Sequence, residues 1–174
     1  MDSLSRSIMD NTFYTDVLGG NASQIFDDQD NVVWIDWGDE EDAIVRALGE
    51  YAGLGDLTAV TEDAENDYGY AITVTFGNRS LTIDPSDEFD SRHATLNAVD
   101  DLLPTHEIRF VTATNGSDTI AIAIETLSDW ETLYNQFGRA LNEHFCPVRE
   151  IPDLMNTPGD EIDNACRNYA NRVG

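Results

Sequence analysis

The chain has 174 residues and no lysine; its 9 basic residues are all arginine, against 34 Asp and Glu, for a formal net charge of −25 at pH 7. The absence of lysine excludes Schiff-base chemistry and lysine phosphate clamps, and nine arginines scattered over the chain make no phosphate-binding patch. A net charge of about 2–8 keeps a small domain soluble, and the excess destabilises the compact state by self-repulsion, so its reason lies outside the fold.

Residues about 3–18 read as a first helix carrying Leu4, Ile8, Phe13 and Val17, closed by Gly19 and Gly20. An acidic turn over 26–31 leads into an apolar run, 32–37, that predicts a buried strand. Gly38 to Asp42 opens a helix whose first turn holds Asp39, Glu40, Glu41 and Asp42, at the positive end of the helix dipole. Its apolar stripe is Ile44, Leu48 and Tyr51, and Gly53 and Gly55 end it. Leu57 to Val60 reads as a short strand. Residues 68–76 and 80–83, joined through Gly77-Asn78-Arg79, predict a hairpin.

A helix over about 89–103 turns Leu96, Val99 and Leu103 inward before Pro104. A second hairpin pairs 106–112 with 119–124. Ser128 and Glu131 have the spacing of a capping box for a third helix running to about Phe145, with Leu133, Phe137, Leu141 and Phe145 inward. Pro147, Pro152 and Pro158 make the next stretch irregular, and 160–172 reads as a terminal helix of weak apolar character. Strands come in hairpins rather than in strand–helix–strand alternation. The expected fold is therefore a single-domain α+β protein, with an antiparallel sheet built from hairpins and three to five helices packed on it. The domain spans 1–148, and 149–174 is a C-terminal extension.

The apolar content of 41 % and the 3 Trp, 6 Tyr and 7 Phe supply a core. No apolar run is long enough for a transmembrane span, and residues 1–20 lack the basic start and apolar stretch of a signal peptide, so a cytoplasmic location is expected. Cys146 and Cys166 read as reduced thiols; a disulfide between them would close a loop of about twenty residues. His144 and Cys146 lack a second ligand pair, so no metal is expected. A calcium loop started at Asp28 fails, because Val32 and Val33 stand where a ligand and a glycine are required. No nucleophile elbow, phosphate loop or zinc-protease motif occurs. Carboxylate pairs carry no signal among 34 acids. No enzyme and no cofactor are expected.

What remains is the pattern of the acids. The densest segment holds Asp27, Asp28, Asp30, Asp36, Asp39, Glu40, Glu41 and Asp42, interrupted by Trp34 and Trp37. Two further segments hold Glu62, Asp63, Glu65 and Asp67, then Asp87, Glu88 and Asp90. Tryptophan beside acids suits a protein-binding hot spot, and Trp37 is the expected anchor.

The pieces Val33-Trp34-Ile35-Asp36-Trp37, Arg92-His93-Ala94-Thr95-Leu96-Asn97-Ala98 and Glu107-Ile108-Arg109-Phe110, with Ser117-Asp118-Thr119 and the helix from Trp130 to Phe137, resemble small acidic bacterial immunity-type proteins encoded beside secreted toxins. The resemblance implies a protein that binds and silences one cognate toxin, and it implies no catalytic residues. The expected function is a non-enzymatic inhibitor that blocks a basic surface of a partner, as an immunity protein or antitoxin. The alternatives are a phage-type DNA mimic acting on a CRISPR effector or restriction enzyme, and a halophile-adapted domain. Direct nucleic-acid and membrane binding are not expected.

Overall fold

A computed structural model describes residues 12–27, 29–36, 38–87 and 90–174. The elements in chain order are α1 (Thr12–Leu18), α2 (Gln24–Asp27), β1 (Val33–Asp36), α3 (Glu41–Ala52), β2 (Leu57–Asp63), β3 (Tyr70–Phe76), β4 (Arg79–Ile83), α4 (Ser91–Leu102), β5 (His106–Val111), β6 (Thr119–Thr126), α5 (Leu127–Phe137), α6 (Arg139–His144), β7 (Phe145–Pro147) and α7 (Gly159–Val173). All strand pairing is antiparallel, in a four-stranded sheet ordered β1-β6-β5-β7 and a three-stranded sheet ordered β2-β3-β4. The fold is α+β. Among the described residues there are seven α-helices against the expected three to five, and two sheets against one.

The larger sheet is covered on both faces, which is why Ile120 to Ile124 is apolar without alternation. Ile120, Ile122 and Ile124 join one cluster with Leu48 of α3, Leu96 and Val99 of α4 and Cys166 of α7. Ala121 and Ala123 join a second cluster with Phe13, Tyr14, Trp130, Leu133, Leu141 and Phe145. Small residues on that second face leave room for the large aromatics, which meet edge-on or tilted, with Tyr14 5.2 Å from Phe13 and 6.0 Å from Trp130. The three-stranded sheet lends Leu57, Ile72 and Val74 to the first cluster.

Several boundaries differ from the sequence reading. The first helix covers Thr12–Leu18; Leu4 and Ile8 fall outside the described residues. The second begins at Glu41, after Glu40 as N-cap with no side-chain cap bond, so only Glu41 and Asp42 lie in its first turn. The cap of α5 is Thr126, not Ser128: β6 runs straight into the helix, and the Thr126 hydroxyl accepts the Asp129 N–H at 3.1 Å. The single helix expected over 128–145 is broken at Gly138, whose φ of 56° and ψ of −131° suit glycine alone. After that break α6 ends early, and Phe145 begins the unforeseen strand β7, which pairs with β5. Its Pro147 sits where a missing N–H is tolerated, on a sheet edge.

The segment 149–174 is irregular to Pro158 and helical from Gly159. Ile151, Leu154, Met155, Ile162 and Cys166 bury in the same cluster as α3 and α4. The apolar stripe of α7, Ile162, Cys166 and Ala170, has a spacing of four and is buried along its length. Both cysteines are free and buried.

Candidate acidic interface

The β1–α3 turn uses two of its acids as backbone acceptors. Gly38 N–H donates to Asp36 Oδ1 at 2.8 Å, and Asp36 N–H donates to Asp39 Oδ2 at 2.7 Å. These bonds substitute for ladder partners the strand lacks at its end, and they fix both carboxylates in place. Beyond them Glu40 and Asp42 are exposed. Glu41 turns inward, 7 % exposed, and accepts a hydrogen bond from the Ser91 hydroxyl.

Ser91 opens α4, whose N-cap is Asp90. Asp90 accepts the Arg92 N–H at 2.9 Å and grips the Arg92 guanidinium through Nε at 2.9 Å and Nη2 at 2.7 Å. Partial burial would raise the Asp90 carboxyl, but the Arg92 bonds outweigh it and hold the group below the usual carboxylate range. The Asp90 N–H donates to Asp153 Oδ2 at 2.9 Å. Asp153, buried, also accepts from Met155 N–H and Asn156 N–H, so it locks the 153–156 turn against the start of α4. Beside it the buried His93 takes the Leu154 N–H on Nδ1 at 3.2 Å, and its Nε2 lies 3.0 Å from the Asn97 amide.

The tip of the β2–β3 hairpin reaches the same end of the molecule. Asp63 pairs with Tyr70 across the ladder. Asn66 Oδ1 accepts the N–H groups of Tyr68 and Gly69, and its Nδ2 donates to Tyr70 O at 2.7 Å and to Asp84 Oδ1 at 3.3 Å. The Tyr68 hydroxyl donates to Asp87, and that bond pushes its pKa up to about 12. Between these elements lies a cleft of about 390 Å³, lined by Gly38, Asp39, Glu40, Glu41, Thr61, Tyr70, Ser91 and Arg92.

The structure thus brings Asp36, Asp39, Glu40, Glu41 and Asp42 together with the hairpin that carries Glu62, Asp63, Glu65 and Asp67 and with the segment that carries Asp87 and Asp90. It does not bring Asp27 and Asp30 with them. The Tyr51 hydroxyl donates to Asn31 O at 2.7 Å, which ties the Gln29–Asn31 turn to the last turn of α3. Tyr51 stands about 15 Å along the helix axis from Glu41. The densest acidic stretch in sequence is therefore two separate patches in space. Asp28, Trp37 and Glu88 lie outside the described residues. Trp34 is half-buried, its ring 5.9 Å from that of Phe26.

The arginines explain why the cleft stays acidic. Arg109 pairs with Glu107, Arg139 with Glu143, Arg149 with Asp100 and Arg172 with Glu150. Arg79 caps the C-terminus of α4 through Asp101 O and Leu102 O. Arg92, the arginine in the cleft lining, is held by Asp90. Sequence reasoning missed Thr61, Tyr70, Ser91, Arg92 and Asp153. Asp90 before Ser91 is a legible N-cap signal for the start of α4; Asp153 has no local signal, since its partners are 63 residues away or created by the turn itself.

Among the described residues no group of three or more His, Cys, Asp or Glu side chains is placed to hold a metal ion. None of them forms a helix long and apolar enough to cross a membrane. Compared with protein-family models, with curated proteins and with solved structures, the chain matches none.

Proposed function

We propose that the protein is a non-enzymatic acidic inhibitor of the immunity or antitoxin kind, working in the cytoplasm by covering a basic surface of a toxin. The observation that carries this reading is a cleft lined by Asp39, Glu40 and Glu41, whose other walls are the strands and helix start next to the two further acidic segments, and whose lining arginine is already held by Asp90. Opposite charge across such a face steers association to rates of about 10⁸–10⁹ M⁻¹s⁻¹ at low salt. If the charge acts as a distributed field instead, the same face fits DNA mimicry toward a nucleic-acid-binding effector.

A second reading, adaptation to high salt, is favoured by one observation: exposed acids also stand far from the cleft, at Asp16, Glu50, Asp56, Glu131, Glu143, Asp160, Glu161 and Asp163. Melting followed by circular dichroism from low to multimolar salt separates the two. An inhibitor holds its fold at physiological salt. Loss of structure below about 1 M salt, where self-repulsion is no longer screened, supports the halophile reading and removes the argument for a partner. In the inhibitor case, capture of a basic protein from the native host is abolished by joint reversal of Asp39, Glu40 and Asp42 to Lys in a folded variant; capture that survives refutes this face.

A further inference from the structure

Away from the acidic cleft, α5, α6 and α7 border an open cavity of about 280 Å³ against β5. Its base is Arg109, 7 % exposed. The guanidinium lies over the Trp130 ring, 4.5 Å from its centroid. Arg109 Nε donates to Glu107 Oε2 at 2.6 Å and Nη1 donates to Asn142 Oδ1 at 3.1 Å, while Nη2 finds no hydrogen-bond acceptor among the described residues. Trp130 Nε1–H is already used, donating to Glu107 O at 3.0 Å. An arginine side chain only 9 % exposed therefore turns its unused Nη2 toward a groove lined by Trp130, Tyr134 and Tyr169.

The mouth of this cavity is apolar. Leu127 at 49 % and Val173 at 39 % exposure are two of the few large hydrophobic side chains that stand open to solvent, and both line it. Aromatic walls, an apolar rim and one convergent polar donor are the usual makings of a small-molecule site.

Charge selects among ligands. The Arg109 cation is already balanced by Glu107, and Glu131 stands on the rim. A carboxylate would crowd a third acid around one guanidinium, in a molecule of net charge −25. A cation would meet Arg109 head-on. A neutral carbonyl or amide oxygen takes the free N–H bonds without adding charge, and its apolar body fills the space between the tyrosines. Half-burial raises the Tyr169 hydroxyl above its ordinary range, so this wall also stays neutral.

We infer that the Arg109–Trp130 cavity binds a small neutral ligand with an aromatic or branched aliphatic body and one carbonyl-type oxygen, the oxygen accepting from Arg109 Nη2. The test uses three probes of one shape and three charges: benzamide, benzoate and benzamidinium. Each is titrated into the full chain, with heteronuclear NMR reading the Trp130 indole and Arg109 side-chain signals. Benzamide is expected to shift these signals saturably at millimolar concentration, with benzoate and benzamidinium at least about tenfold weaker. Leu127→Asp, at an exposed helix start that suits an acid, keeps the fold and weakens benzamide severalfold by wetting the rim. Tighter binding of benzoate or benzamidinium, no saturable shift with benzamide, or an unchanged benzamide affinity in Leu127→Asp each overturns the inference. It stands independently of the acidic interface, since the two sites share no residue.

Discussion

The Asp100–Arg149 pair offers a sharp test of how this acidic chain holds its parts together. Asp100 on α4 has a side chain only 1 % exposed, whereas that of Arg149 is 51 % exposed. The carboxylate accepts the Ile108 N–H of β5 at 2.9 Å and two bonds from Arg149, Nε at 2.7 Å and Nη2. It thus joins helix, sheet and the 148–150 turn. In Asp100→Ala the buried Ile108 N–H loses its acceptor, a loss of about 1–3 kcal/mol, and the half-exposed ion pair adds about 0–1 kcal/mol. The expected destabilisation is about 1–4 kcal/mol. In Arg149→Ala the carboxylate keeps Ile108, and water enters from the side that Arg149 occupied. That change lies between an exposed and a buried pair, at about 1–2 kcal/mol. Urea unfolding followed by circular dichroism measures both, at about 0.5 M salt so that the opposite changes in net charge are screened. If Arg149→Ala proves more damaging than Asp100→Ala, the carboxylate serves the ion pair rather than the sheet, and the reasoning fails.

Three further outcomes are expected. Asp39→Lys removes the acceptor of the Asp36 N–H and should destabilise by about 1 kcal/mol, whereas Glu40→Lys removes only an interaction with the helix dipole of about 0.3–1 kcal/mol; equal thermal shifts would show that the turn bonds are idle. Burial lowers the His93 pKa despite the nearby Asp153 and Asp90 carboxylates, so the folded state binds fewer protons than the unfolded chain, where histidine titrates near 6.5. Its contribution is present above pH about 6.5 and is lost as pH falls through the lowered folded value; the stability gap between wild type and His93→Gln should shrink on acidification from pH about 6.5 to 5, and a constant gap would refute it. The hydrogen bond with Cys166 and burial hold the Cys146 thiol far above its ordinary range, and both thiols are buried, so each should react with a thiol reagent only as fast as the protein unfolds; rapid labelling of the native chain would place them at the surface.

What the sequence by itself determined is local. The stripe Ile44, Leu48 and Tyr51 and the pair Leu96 and Val99 repeat at helical spacing, so α3 and α4 were readable. The turn at Gly77 and the pairing of 106–112 with 119–124 marked both hairpins, and hairpins without crossovers implied an antiparallel α+β fold. Composition gave the net charge of −25 and the absence of lysine. Tertiary structure decided the rest, because the deciding contacts are long-range. Phe145-Cys146-Pro147 is too short to carry a period, and it becomes a strand only because β5 offers it an edge. The segment after Pro147 looked detachable, yet Leu154 and Cys166 close the core over α3 and α4. Acids that are neighbours in the chain, Asp30 and Asp39, are sent to opposite ends of α3, while Asp39 and Asp90 are drawn to one cleft. Arg109 reads as an ordinary charged strand residue; only the packing of Trp130 and Asn142 around it, from two helices 33 residues or less away, turns it into a buried donor facing a cavity. Periodicity records which face of an element is apolar, but which faces meet is fixed by packing, and that is where the sites of this protein are made.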